Sequence, residues 1–99
     1  MAERLILEFD GVGIDQYNAV NDALDIDLES GRNAPPGMLY HAGGAKPGGW
    51  VVFEIWASKA DQAAFMSGRL GAALQQGGIT APPARVEWLE IAHHISLPG

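Results

Sequence analysis

No cysteine occurs in the 99 residues. Its absence removes disulfides, thiol nucleophiles and thiolate metal sites together. Positive charge is scarce as well. Arg4, Arg32, Lys46, Lys59, Arg69 and Arg85 are the only cations, against twelve acids, for a formal charge of −6. They are scattered, so the chain offers neither the basic footprint that neutralises nucleic-acid phosphates nor a polybasic patch for a membrane surface. Neither nucleic acid nor membrane is an expected partner. Long apolar runs are also missing. The opening MAERLILEFD meets charge at once and resembles neither a signal peptide nor a membrane span, which makes a cytoplasmic protein the expectation. Ser30, Ser58, Ser67 and Ser96 fall in loop, cap, helix and tail contexts, so no nucleophile elbow is in view.

What is present is a folding sequence. Hydrophobic residues make up 47% of the chain and charged ones only 18%, and the length suits one domain over residues 1–99. In ERLILEF, Leu5, Leu7 and Phe9 alternate onto one face as in a strand. Asp15 is the expected cap of a helix in which Tyr17, Val20 and Leu24 recur at helical spacing. DIDLESGRNAPPG reads as a long loop. GMLYHAGG and WVVFEIWA (Trp50 to Ala57) read as two strands joined through GAKPGG, a hairpin connection longer than two residues. Ser58 caps a helix over Lys59 to Gln76, with Ala63, Met66, Leu70 and Leu74 along one side, and Gly77-Gly78 stops it. ARVEWLEIAHHI, Ala84 to Ile95, alternates as a fourth strand. The order β-α-β-β-α-β predicts a ferredoxin-like α+β fold: a four-stranded antiparallel sheet with two helices on one face.

The run EIWASKADQAAF, Glu54 to Phe65, carries a resemblance. Glu54, Trp56, the cap Ser58, Asp61 and the bulky Phe65 resemble the strand-to-helix junction of antibiotic-biosynthesis-monooxygenase-like proteins, within the dimeric α+β barrel superfamily. That resemblance implies a homodimer in which two sheets face each other as a barrel, with a small-molecule pocket between sheet and helices. The implied activities range from cofactor-free oxygenation of quinols and polyketide cyclisation to haem degradation and proteins without assigned chemistry. Haem-degrading relatives carry a His on the second helix, where this chain has Phe65 or Met66 and no His anywhere between Trp56 and Gln76.

His41 is the leading candidate for chemistry. If Gly43 pairs with Trp50, His41 lies opposite Val52 and shares a face with Trp50, Glu54 and Trp56; a slip of one residue puts Tyr40 there instead. A His–Glu pair beside two indoles can act as an acid–base unit, and a hydrogen-bonded structural His is the alternative. Glu54 is hard to place as a bystander, because carboxylates are rarely buried without partners. Trp50, Trp56, Tyr40 and Phe65 are candidate pocket walls, or plain core and interface aromatics. Arg69 on the second helix is a candidate for an anionic group, or simply part of a solvated helix face. His93 and His94, being adjacent, point to opposite faces of a strand and cannot together ligate one metal. HAGGAKPGGW lacks the Gly-Lys-Ser/Thr order of a phosphate loop and joins two strands.

Two functional classes follow. One is an enzyme without cofactor or metal, of the monooxygenase, cyclase or lyase kind, acting on a small planar apolar compound with His41 as general base and Glu54 orienting it. The other is a non-catalytic small-ligand-binding or structural dimer. With neither thiolates nor a histidine on the second helix, the protein is expected to bind no metal tightly and to turn over no haem. A haem titration checks this: the expected outcome is no stoichiometric Soret shift and no ring opening under reductant.

Overall fold

The computed structural model describes residues 2–93. The expected fourth strand ends at Glu90, with residues 91–93 outside it, and His94 and Ile95 lie outside the described residues. The described residues form four strands: β1 (Glu3–Asp10), β2 (Met38–Lys46), β3 (Gly49–Trp56) and β4 (Arg85–Glu90). They form one sheet in the order β2-β3-β1-β4, antiparallel at every junction. With helix α1 (Ile14–Leu24) between β1 and β2 and the second helical segment between β3 and β4, this is the ferredoxin-like α+β arrangement. Among the described residues, no helix is long and apolar enough to cross a membrane.

Alternation builds the core. Leu5, Leu7 and Phe9 of β1 and Trp50, Val52 and Trp56 of β3 face the helices, where Val20, Leu24, Phe65 and Ala73 meet them. Both strands have period-two side chains, so the register that pairs Leu5 with Glu54 and Leu7 with Val52 puts all of these on one face. The other face carries Ile6, Val51, Phe53 and Ile55, interleaved with Arg4, Glu8, Arg85 and Glu87. Among the described residues, no helix packs there.

Several local expectations are corrected. Gly13, rather than Asp15, caps α1, and its N–H donates to Gln16 Oε1 at 2.7 Å; Asp15 sits in the first turn, where its charge suits the helix dipole. The β2–β3 connection is tighter than the Gly content suggested. Strand pairing continues to Lys46 and Gly49, leaving Pro47 and Gly48 as a two-residue turn, and Gly48 takes φ +73 where a side chain would be strained. The helix expected over Lys59 to Gln76 is broken. Ser58 does cap it, accepting from the Asp61 N–H at 3.2 Å, but α2 (Lys59–Phe65) gives way to a π-helical turn at Met66–Leu70 before α3 (Gly71–Gln76). Gly68 lies at the break, with φ −107 and ψ −105. Glycine tolerates that departure from helical geometry, and π turns of this kind concentrate near functional sites.

The hairpin turn is held close to β1. A Cβ on Gly49 would stand 2.2 Å from the Phe9 carbonyl oxygen. That oxygen belongs to the backbone and cannot swing aside. Gly49→Ala is therefore expected to cost about 1–3 kcal/mol through forced backbone movement, read as a lower urea midpoint; an unchanged midpoint would contradict this packing.

Candidate functional site

A cavity of about 460 Å³ opens between the helix-facing side of the sheet and the helical layer. β1 and β3 supply its floor through Leu7, Val52 and Trp50, and α1 supplies Tyr17 and Asn21. The π turn and α3 contribute Met66, Leu70 and Leu74, while the loop after α1 closes a further side with Ile26, Leu28 and Ala34. The lining is mostly apolar, as small-molecule sites generally are, with a few convergent polar groups.

Three of those polar groups, Tyr17, His41 and Glu54, form one hydrogen-bonded chain. Gly43 pairs with Val52, two positions from the pairing considered from sequence, so His41 lies directly opposite Glu54 rather than Val52. An even shift preserves the face. His41 Nδ1 stands 2.7 Å from Glu54 Oε2, and the Trp56 indole N–H donates to Glu54 Oε1 at 2.9 Å. Tyr17 reaches the other imidazole nitrogen, Nε2, through its hydroxyl, making a hydrogen bond with it. With Glu54 as a carboxylate, both its oxygens accept. The His41 proton is then assigned to Nδ1, which leaves Nε2 to accept from the Tyr17 O–H. The chain thus runs from Tyr17 through His41 to Glu54, with Trp56 bracing the carboxylate.

Burial grades along it. Trp56 is fully buried and Glu54 is 7% exposed, whereas the His41 side chain is 20% exposed where it borders the cavity. Burial pushes the Tyr17 phenol above its ordinary value; the Asn21 amide partly offsets this, and the Glu54 charge pushes it further up. Asn21 donates to the Tyr17 carbonyl one turn back at 3.0 Å. Trp50 packs over the Tyr17 ring at 4.8 Å between centroids.

The residues singled out from sequence do not all meet here. His41, Glu54, Trp50 and Phe65 border the cavity. Trp56 stands behind its wall, against Phe65 at 5.9 Å, and its contribution is the bond to Glu54. Tyr40 follows a β-bulge at Leu39 and pairs with Ile55; its ring lies edge-on to Phe53 on the open face of the sheet, and the residue also edges the cavity. Arg69 does not border the cavity. Its guanidinium donates to the carbonyls of Leu24 and Asn33, at 3.1 and 3.0 Å, and stacks near Phe65, tying the π turn to the loop that closes the site. His93 is exposed at the end of the described residues.

The sequence marks Tyr17 and Asn21 only as helix positions. Tyr17 did carry a signal. A tyrosine on the buried stripe of a helix brings a hydroxyl that needs a partner, and His41 is that partner.

No protein-family model matches the chain, and no curated protein matches it. Solved structures do. A protein of Chloroflexus aurantiacus, provisionally named an antibiotic biosynthesis monooxygenase, superposes with a TM-score of 0.66 at 17% identity, covering 99% of this chain and 100% of its own. A Nitrosomonas europaea protein of unknown function gives 0.63 at 24% identity, over 99% of this chain and 96% of its own. SnoaB of Streptomyces nogalater, a cofactor-independent oxygenase, gives 0.62 at 9% identity, over 95% and 96%. At these identities the likeness is one of fold.

The raised Tyr17 pKa makes stability depend on alkaline pH. The fold favours the neutral phenol, so its contribution is complete below the unfolded value, about 10, and is lost as pH rises through the folded one. Tyr17→Phe is expected to flatten the decline of the urea midpoint above about pH 10 relative to wild type. Parallel declines would contradict a buried, hydrogen-bonded phenol.

Proposed function

We propose that this chain, which has the fold of the antibiotic-biosynthesis-monooxygenase-like proteins, is a small-molecule-binding homodimer whose cavity abstracts a proton from a small, planar, apolar compound. His41 is the base and Glu54 orients and stabilises its imidazolium. The reaction belongs to the cofactor-independent oxygenase, cyclase or lyase kind, in which the protein supplies a proton acceptor and a dry, shaped enclosure. The observation that carries this reading is the hydrogen-bonded chain of Trp56, Glu54, His41 and Tyr17 in the wall of a largely apolar cavity. A structural His–Glu pair has no need to border a cavity of about 460 Å³, a volume within the range of ligand sites. A neutral imidazole beside a carboxylate is the usual arrangement for a general base that works near neutral pH. The fold-sharing SnoaB, a cofactor-independent oxygenase, supports the reaction class by analogy of fold alone.

The homodimer rests on the sheet. Helices cover one face, whereas the partly exposed Ile6, Val51 and Phe53 lie on the other beside the half-exposed Tyr40 and Leu89. An antiparallel sheet can leave one face in water when that face is polar; this one is interleaved with large apolar groups. Face-to-face pairing across a two-fold axis buries them.

One preparation tests both halves. Oxygen uptake and absorbance change across a panel of planar quinols should fall about a hundredfold to ten-thousandfold in His41→Ala. Sedimentation at micromolar protein should give a dimer for wild type and variant alike. A variant that turns over quinols normally but is less stable by about 1–3 kcal/mol would make His41 a core residue, and a monomeric mass would remove the assembly.

A further inference from the structure

We propose that the Tyr17 hydroxyl is the group that exchanges a proton with the substrate, His41 taking the phenolic proton in turn, and that the substrate enters as an uncharged weak acid such as a phenol or an enol. The inference rests on the proposed proton-abstracting pocket and specifies which atom meets the ligand and what the ligand is.

Geometry points to the relay. Both His41 nitrogens are already engaged, Nδ1 by Glu54 and Nε2 by Tyr17. A substrate proton therefore reaches Nε2 either by displacing Tyr17 or by passing through it. Displacement is opposed by the packing. The Tyr17 ring is covered by Trp50 at 4.8 Å, and the end of the ring lies against Gly43. A Cβ on Gly43 would come within 2.7 Å of Tyr17 Cζ and 2.8 Å of its hydroxyl oxygen, so glycine here is what admits the phenol.

The proton balance closes without any other reactant. The substrate O–H bond breaks and a new O–H forms on Tyr17 Oη. The original Tyr17 O–H bond breaks and an N–H forms on His41 Nε2. The products are the substrate anion, a neutral Tyr17 and an imidazolium paired with Glu54. Nothing is oxidised or reduced, and the restored Tyr17 O–H can then donate to the anion it has produced.

The lining selects the charge state. Among the described residues that border the cavity there is no Lys and no Arg, while Asp27 and Glu54 are both acidic. Arg69, the nearest candidate from sequence, spends its donors on the carbonyls of Leu24 and Asn33. A ligand that arrives already anionic finds repulsion and no counter-charge, whereas a neutral acid ionises only once it touches the relay.

4-Nitrophenol is a suitable probe because its neutral and ionised forms differ in colour. At a pH below the probe's own pKa, wild-type protein should bind it and raise its phenolate fraction, and 4-nitrobenzoate, a carboxylate throughout, should bind at least about tenfold more weakly. Tyr17→Phe should still bind the probe yet lose about tenfold or more of the bound phenolate. Gly43→Ala, which pushes the ring aside and keeps the hydroxyl, should lose it too, with circular dichroism confirming the fold of each variant. Phenolate that survives Tyr17→Phe but vanishes in His41→Ala overturns the relay alone, since His41 then meets the ligand directly. Equal binding of 4-nitrobenzoate overturns the neutral-acid selectivity. No probe binding by wild type overturns the pocket reading itself.

Discussion

A carboxylate in an apolar wall must be given donors, and Glu54 is given two that arrive from opposite directions. The Trp56 indole lies two residues along the same strand and the His41 imidazole directly across the hairpin. The second of these depends on the register of the hairpin. A slip of one residue between β2 and β3 would turn His41 to the open face and leave Glu54 with a single donor. Leaving a buried polar group unpaired costs about 1–3 kcal/mol, in addition to the misplacement of the aromatic residues. The polar triad thus helps fix the strand register that the cavity needs, and the cavity in turn gives the triad something to act upon.

The rest of the site is arranged around that pairing. α1 crosses the helix-facing side at the level where Tyr17 meets His41, and the absent side chain of Gly43 leaves room for the contact. The loop after α1 closes the cavity and is tied at both ends. Asn33 donates to the carbonyls of Leu24 and Asp25, and Arg69 reaches the same region from the π turn. Because Met66 and Leu70 of that turn line the cavity, a break in helical geometry at Gly68 changes which side chains face the ligand space. A continuous helix would have presented its apolar stripe at uniform 3.6-residue spacing.

Much of this was legible in the sequence, for identifiable reasons. Strand alternation in ERLILEF and WVVFEIW specified the inner and outer faces, and Ser58 marked the start of the second helical segment. Once parity was right, those same patterns placed His41 beside Glu54, because period two makes parity rather than exact register decide the face. What escaped were features carried by three-dimensional proximity. Tyr17 is 24 residues from His41, and nothing local in QYNAV singles out one partner across the sheet. The π turn at Met66–Leu70 escaped because its apolar residues still repeat at helical spacing. Arg69 looked available because an isolated cation on a helix shows no sign of the distant carbonyls that occupy it.

The central claim is the direction of the hydrogen-bonded chain, Tyr17 to His41 to Glu54, and the position of a single proton decides it. Long-range ¹H–¹⁵N correlation spectra of the imidazole rings, with His41 identified by its substitution, report which nitrogen is protonated at neutral pH. The account predicts that His41 holds a proton on Nδ1, facing Glu54, with Nε2 accepting from Tyr17. A proton on Nε2 would contradict it, because Tyr17 would then be an acceptor and the chain could not carry a proton from the cavity to His41.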